Sequence, residues 1–179
     1  MIQNLERDIV SATDGSLYIK DFLEVEVEKV IEFYSMNYSN NYIYLSTSGG
    51  ENAALNLILD LINKNRNNTV LILNEVTASN GLVLYIMAEC KKEIKQNSYG
   101  IAHLSSFETR ITGYDMDSIL SEEVEHLKMT NKKLIKMYED IGVGKKLIDK
   151  MKNGEDILLD YKFLKRYTDE YNKKNKRLF

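Results

Sequence analysis

Apolar and polar positions alternate along this chain in two periods, and the switch between them marks the elements. From Glu24 to Met36, Val27, Val30, Ile31 and Tyr34 recur at helical spacing with charges between them, the pattern of an amphipathic helix. Residues 41–46 (NYIYLS) read as a strand. Asn52 to Asn63 is helical again, with Leu55, Ile58, Leu59 and Ile62 on one face. The wholly apolar run Thr69 to Leu73 has the character of a strand buried on both faces. An apolar helix is predicted over 80–91. After it come Glu93-Ile94-Lys95, a turn at Asn97-Ser98, and Gly100 to Ala102 leading into His103. Nearer the start, 7–11 and 17–19 suggest short strands around a turn at Asp14-Gly15.

Strand and helix in alternation with short connections predict an α/β fold of βαβ units and a largely parallel sheet. In such sheets the ligand crevice lies at the carboxyl ends of the strands. The turn Ser46 to Gly50 follows one strand and Thr77-Ala78-Ser79 follows another, so both loops belong at one edge.

From Met116 to Asp140 the pattern becomes a single long helix with the stripe Ile119, Leu120, Val124, Leu127, Leu134, Ile135 and Met137. At 1.5 Å per residue it spans about 36 Å, more than packing on a small domain requires. Part of it is expected to project and to bury its stripe against another subunit. Gly142 and Gly144 end it. Helices over 145–153 and 160–171 come next, the second with Asp160 as N-cap.

Composition narrows the function. The 179 residues, 44% of them hydrophobic, suit one domain with a sizeable core. A net charge of −3 and the lack of a basic groove argue against nucleic acid. The run Lys173, Lys174, Lys176 and Arg177 reads as a solvated tail over 172–179. A lone cysteine, Cys90, placed in the apolar helix pattern, and two histidines, His103 and His126, leave no internal disulfide and no metal set. No metal or cofactor is expected. No stretch has the length of a membrane span and no signal pattern opens the chain, so a soluble, cytoplasmic protein is expected. Proline is absent, and Asn40-Asn41, Asn67-Asn68 and Asp14-Gly15 are taken as the turns.

Three features carry candidate chemistry: Ser79 at the start of an apolar helix, His103 at the end of a strand, and the glycine pair Gly49-Gly50 upstream. A hydroxyl nucleophile, a base and main-chain donors are the parts of an acyl-transfer site. Each alone is also an ordinary N-cap, core histidine or turn. Their order and spacing add weight, because Ser79 stands 29 positions after Gly50 and His103 stands 24 after Ser79.

This arrangement resembles the proteolytic subunit of the Clp protease, within the ClpP/crotonase superfamily. Thr47-Ser48-Gly49-Gly50 is similar to the family's S-P-G-G turn, and Thr77-Ala78-Ser79-Asn80-Gly81 to its A-A-S-M-G nucleophile segment. Gln96-Asn97-Ser98 followed by Tyr99 to His103 is similar to its P-N-S strand and catalytic histidine. The resemblance covers roughly residues 8 to 171. It implies a ClpP/crotonase-like fold of repeated β-β-α/βαβ units in a single domain. The head would span about 1–110 and 142–171, and the long helix 116–140 would be the family's handle.

It further implies a serine endopeptidase acting on peptides or unfolded proteins inside a homo-oligomeric ring, with stacked heptamers as one form the family allows. Ser79 would be the nucleophile and His103 the base, with the Gly50 and Asn80 N–H groups as oxyanion hole. Substrate would lie extended beside 104–107 and Gly50 to Ala53. A Clp-type AAA+ unfoldase is the implied partner, and a short N-terminal stretch counts against its docking. Ser48 stands where the family has proline, and Glu75 where a glycine leads the nucleophile segment. The family's triad aspartate falls on Met151 without gaps or on Lys152 with a one-residue shift. Asp149 and Asn153 flank that position as candidates for the third member. A chain without a substitute there would be a catalytically weak, structural subunit of the same assembly.

Overall fold

A computed structural model describes residues 14–22, 24–106 and 116–176. Six strands and six α-helices lie within them. Strand β1 (Asp14–Ile19) leads to helix α1 (Glu24–Ser35), then β2 (Asn40–Thr47), α2 (Asn52–Lys64), β3 (Thr69–Ala78) and α3 (Asn80–Met87). Strands β4 (Lys91–Ile94) and β5 (Tyr99–Ala102) precede the long helix α4 (Met116–Asp140). Helix α5 (Lys145–Lys152), strand β6 (Ile157–Leu159) and helix α6 (Tyr161–Lys174) complete the order. The expected strand at 7–11, residue 107 of the expected substrate edge, and Arg177 lie outside the described residues, as do the side chains of Ile119 and Leu120.

The sheet runs β1-β2-β3-β5-β6, with β4 also paired to β3. All pairings are parallel except β5 with β6. The fold is therefore mixed α/β with a mostly parallel sheet, as the alternation of periods implies. Strand β3 serves two neighbours in turn: Val70 to Leu73 pair with β4, and Val76 to Ala78 with β5. Between them Glu75 takes a φ of 52°, and the register against β2 slips from Leu45↔Leu73 to Thr47↔Thr77. Such an irregularity bends a strand and re-aims the residues beyond it. The first residue past the end of β3 is Ser79.

Val30, Ile58, Ile62, Leu82 and Leu84 from α1, α2 and α3 bury fully with Ile43, Leu45, Leu71 and Leu73 of the sheet. Each such side chain contributes about 1.5–3 kcal/mol relative to exposure. Helix α6 packs on β4 and β5; the Asn172 side chain bonds both main-chain groups of Lys92 in β4, and Thr168 Oγ1 meets Tyr85 Oη of α3 at 2.7 Å. Asn172 to Lys174 thus belong to α6, and the basic tail begins later than 172.

Three local expectations are corrected. Asp14 and Gly15 open β1 rather than making a turn. Gly15 is needed because a Cβ there would stand 2.2 Å from the Tyr38 ring. Asn40 and Asn41 begin β2, where the Asn40 amide donates to Asp14 at 2.7 Å. Helix α3 stops at Met87, because Ala88 turns extended and its carbonyl accepts from Tyr171 Oη at 3.1 Å and from Lys92 Nζ. Cys90, buried, therefore lies in the connection to β4 and not in a helix.

Helix α4 covers 116–140, the span its pattern predicts. It ends by a glycine stop: Gly142 at φ 91° donates to Glu139 O, and Val143 N–H to Tyr138 O. Tyr138 is buried, yet no residue from Ser121 to Met137 is, and Met129 is 59% exposed. Most of the described stripe is therefore half-covered by its own chain.

Candidate active site

Ser79 sits where β3 turns into α3. Its N–H closes the sheet ladder onto Ile101 O at 3.1 Å, and its carbonyl accepts the first helical bond from Val83 at 3.0 Å. Its hydroxyl makes no capping bond, although Ser79 occupies the N-cap position. The residue holds φ 52° and ψ −128°, a conformation that costs a non-glycine residue about 1–3 kcal/mol. A strained serine at a strand-to-helix turn is how a nucleophile is lifted clear of its own backbone. The strain is not repaid by a capping bond from this hydroxyl.

The glycine turn is clamped between Phe22 and α3. Phe22 N–H donates to Gly49 O at 2.9 Å and Glu51 N–H to Phe22 O at 2.7 Å. Thr47 Oγ1 accepts from Gly49 N–H at 3.0 Å. A Cβ on Gly49 would stand 2.5 Å from Ser79 Cβ and 3.0 Å from its Oγ. Glycine alone permits that approach, and φ values of 116° and 145° at Gly49 and Gly50 add to the requirement. Asn80 fixes the turn from the other side: its amide donates to Gly50 O at 2.7 Å and to Asn52 Oδ1 at 3.0 Å. The Gly50 N–H has no acceptor among the described residues. The Asn80 N–H, first of α3, has no intrahelical one.

His103 leaves the end of β5, two residues beyond the carbonyl that holds Ser79. Its Nδ1 faces Asp156 Oδ1 at 3.3 Å. Asp156 reaches that place in two steps. Helix α5 ends at a second glycine stop, with Gly154 at φ 83° and Glu155 N–H donating to Lys150 O at 3.1 Å. The chain then enters β6 antiparallel to β5, pairing Ile157 with Ala102, so the next pair outward is Asp156 with His103. The two side chains are 69% and 38% exposed. No hydrogen bond joins Ser79 Oγ to the imidazole in this conformation.

All four sequence-derived site residues, Gly50, Ser79, Asn80 and His103, line one cleft of about 470 Å³ together with Asp156 and Asn131. The carboxylate that meets His103 is not one of the candidates the sequence offered. Asp149 lies outside the cleft lining with Lys152 Nζ 4.0 Å away, and Asn153 caps α5 through its N–H to Asp149 O and Lys150 O. Met151 is buried and lines the cleft. Asp156 is the carboxylate that meets the histidine, and counting residues from the helix misses it because a strand pairing delivers it. The one local signal was the Asn153-Gly154 helix stop followed by an apolar Ile157-Leu158-Leu159.

Among the described residues no cluster of three or more His, Cys, Asp or Glu could hold a metal ion. Nor is any helix among them long and apolar enough to cross a membrane. The sequence matches no family model, and no curated protein matches it.

Proposed function

We propose that the chain is a Clp-type serine peptidase subunit that cleaves peptides or unfolded proteins, with a ClpP/crotonase-like fold and α4 as its handle. One observation carries this reading: a strained Ser79, a glycine turn pressed against it and a His103–Asp156 pair share a single cleft. Ser79 Oγ attacks the scissile carbonyl while the imidazole takes its proton, then returns that proton to the leaving amine. The Gly50 and Asn80 N–H groups receive the oxyanion, each such donor being worth about 10²–10³ in turnover. Asp156, meeting Nδ1 at 3.3 Å, would leave Nε2 as the base. Closing the Ser79–His103 bond belongs to the substrate complex, since catalytic hydrogen bonds are often loose before substrate arrives. A fluorophosphonate probe should label Ser79, and Ser79→Ala should abolish both labelling and casein cleavage. No labelling of a folded wild-type chain would end the idea.

A second reading rests on the absent Ser79–His103 bond and the exposure of Asp156: a catalytically weak subunit that serves in assembly. Both readings use α4, whose exposed Met129 and half-covered Leu127 suit burial against a second copy. Replacing Leu127 and Met129 by Asp should dissociate an oligomer, seen as a slower sedimentation coefficient. Stable rings that never take the probe would select the second reading.

A further inference from the structure

Among the described residues, Asn131 is the side chain of helix α4 that hydrogen-bonds the site segment. Asn131 Oδ1 accepts from Ser105 N–H at 2.8 Å, and Asn131 Nδ2 donates to Ser105 O at 3.0 Å. A carboxamide offers one donor face and one acceptor face, so Asn131 meets both main-chain groups of Ser105 as a neighbouring strand would. Ser105 is two residues past His103, and both it and Asn131 line the cleft. On either side, the main-chain groups of Leu104 and Ser106 have no main-chain partner among the described residues. They line the same cleft.

We propose that Asn131 is a positioning residue that holds Leu104 to Ser106 as the edge on which an extended peptide pairs. This deepens, and rests on, the peptidase reading. The carboxamide commits the main chain of Ser105 and fixes the segment's direction. The groups of Leu104 and Ser106 are then aligned for strand addition, in which main-chain bonds supply affinity. A pairing edge left untethered must be ordered by each incoming peptide, and that ordering is subtracted from binding. Ser79 and His103 are held separately, by the β3–β5 and β5–β6 pairings, so their chemistry does not depend on Asn131. The phenotype should therefore separate pairing from reaction.

The test is Asn131→Ala and Asn131→Asp in the full chain; the second keeps an acceptor for Ser105 N–H but sets a carboxylate against Ser105 O. With a fluorogenic peptide, KM should rise about tenfold or more, the scale of two net hydrogen bonds, with kcat held within about twofold. Hydrolysis of p-nitrophenyl acetate and fluorophosphonate labelling of Ser79 should stay at wild-type rates, since neither small molecule pairs as a strand. In a Ser79→Ala background, anisotropy of fluorescein-labelled casein should show the same weakening without catalysis. An unchanged KM and unchanged casein binding would overturn the proposal. So would ester, probe and peptide rates falling together, which would make Asn131 a support of the reacting centre. A folded wild-type chain inert to ester and probe would instead sink the peptidase reading, and casein binding insensitive to Asn131 would then remove this proposal separately.

Discussion

Removing the Asp156 carboxylate tests the assignment of the third site residue. At its 3.3 Å separation from His103 Nδ1, a full charge pair is worth about 1.3 kcal/mol at the dielectric of water and about 5 kcal/mol at an effective value near 20. The Asp156 side chain is 69% exposed and that of His103 38%, so the water limit governs, in keeping with the small worth of exposed ion pairs. About 1.3 kcal/mol is close to tenfold in rate. Asp156→Ala and Asp156→Asn should therefore lower kcat on a fluorogenic peptide roughly tenfold. That is far short of the ~10⁴ lost when a buried triad aspartate is replaced. Asp149→Ala is the control and should change nothing, because Asp149 lies nearest Lys152 on the outer face of α5. Loss of rate in Asp149→Ala with none in Asp156→Ala would refute the assignment. A fall of about 10⁴ in Asp156→Ala would refute the dielectric reasoning instead, by showing that the pair is dry in the working enzyme.

Two further outcomes rest on close contacts. Gly49→Ala places a Cβ 2.5 Å from Ser79 Cβ at a φ of 116°; we expect Ser79 labelling to be lost and stability to fall by about 1–3 kcal/mol, and wild-type labelling in the variant would contradict the clamp. Burial pushes the Lys92 ammonium down to about 7 from its ordinary 10.5. Between those values the unfolded chain holds a proton the folded one lacks, so stability should rise from about pH 7 to about pH 10. Lys92→Met should flatten that rise in urea melts at pH 7 and pH 9.5, and an equal slope in both proteins would exclude Lys92 as its source.

How much of the molecule is legible in the sequence depends on which contacts are local. The alternation of periods implies a parallel sheet, and a parallel sheet sends its strand ends to one edge. The Gly49-Gly50 and Thr77 to Ser79 loops can therefore be placed at one edge from the sequence, while the resemblance adds Asn80 and His103 to the group. Asp156 escapes because its place depends on a three-residue strand, β6, choosing β5 as antiparallel partner, and so short a run carries little periodicity. Gly15 misleads for a different reason. A glycine serving a turn and one making room for the Tyr38 ring look alike in sequence. The end of α3 shows the limit most plainly: Gly81 to Ala88 and beyond reads as uninterrupted helix, and it is stopped by Tyr171, more than 80 positions away, bonding Ala88 O. The same packing buries Lys92 beneath the Tyr171 ring, with Nζ 3.3 Å from its centroid, where sequence reading assigns a lysine to solvent. Residues whose surroundings are built by the strand or helix they occupy can be read early. Those whose surroundings arrive with α6 or β6 need the folded chain, and Asp156, which meets His103 Nδ1 at 3.3 Å, is one of these.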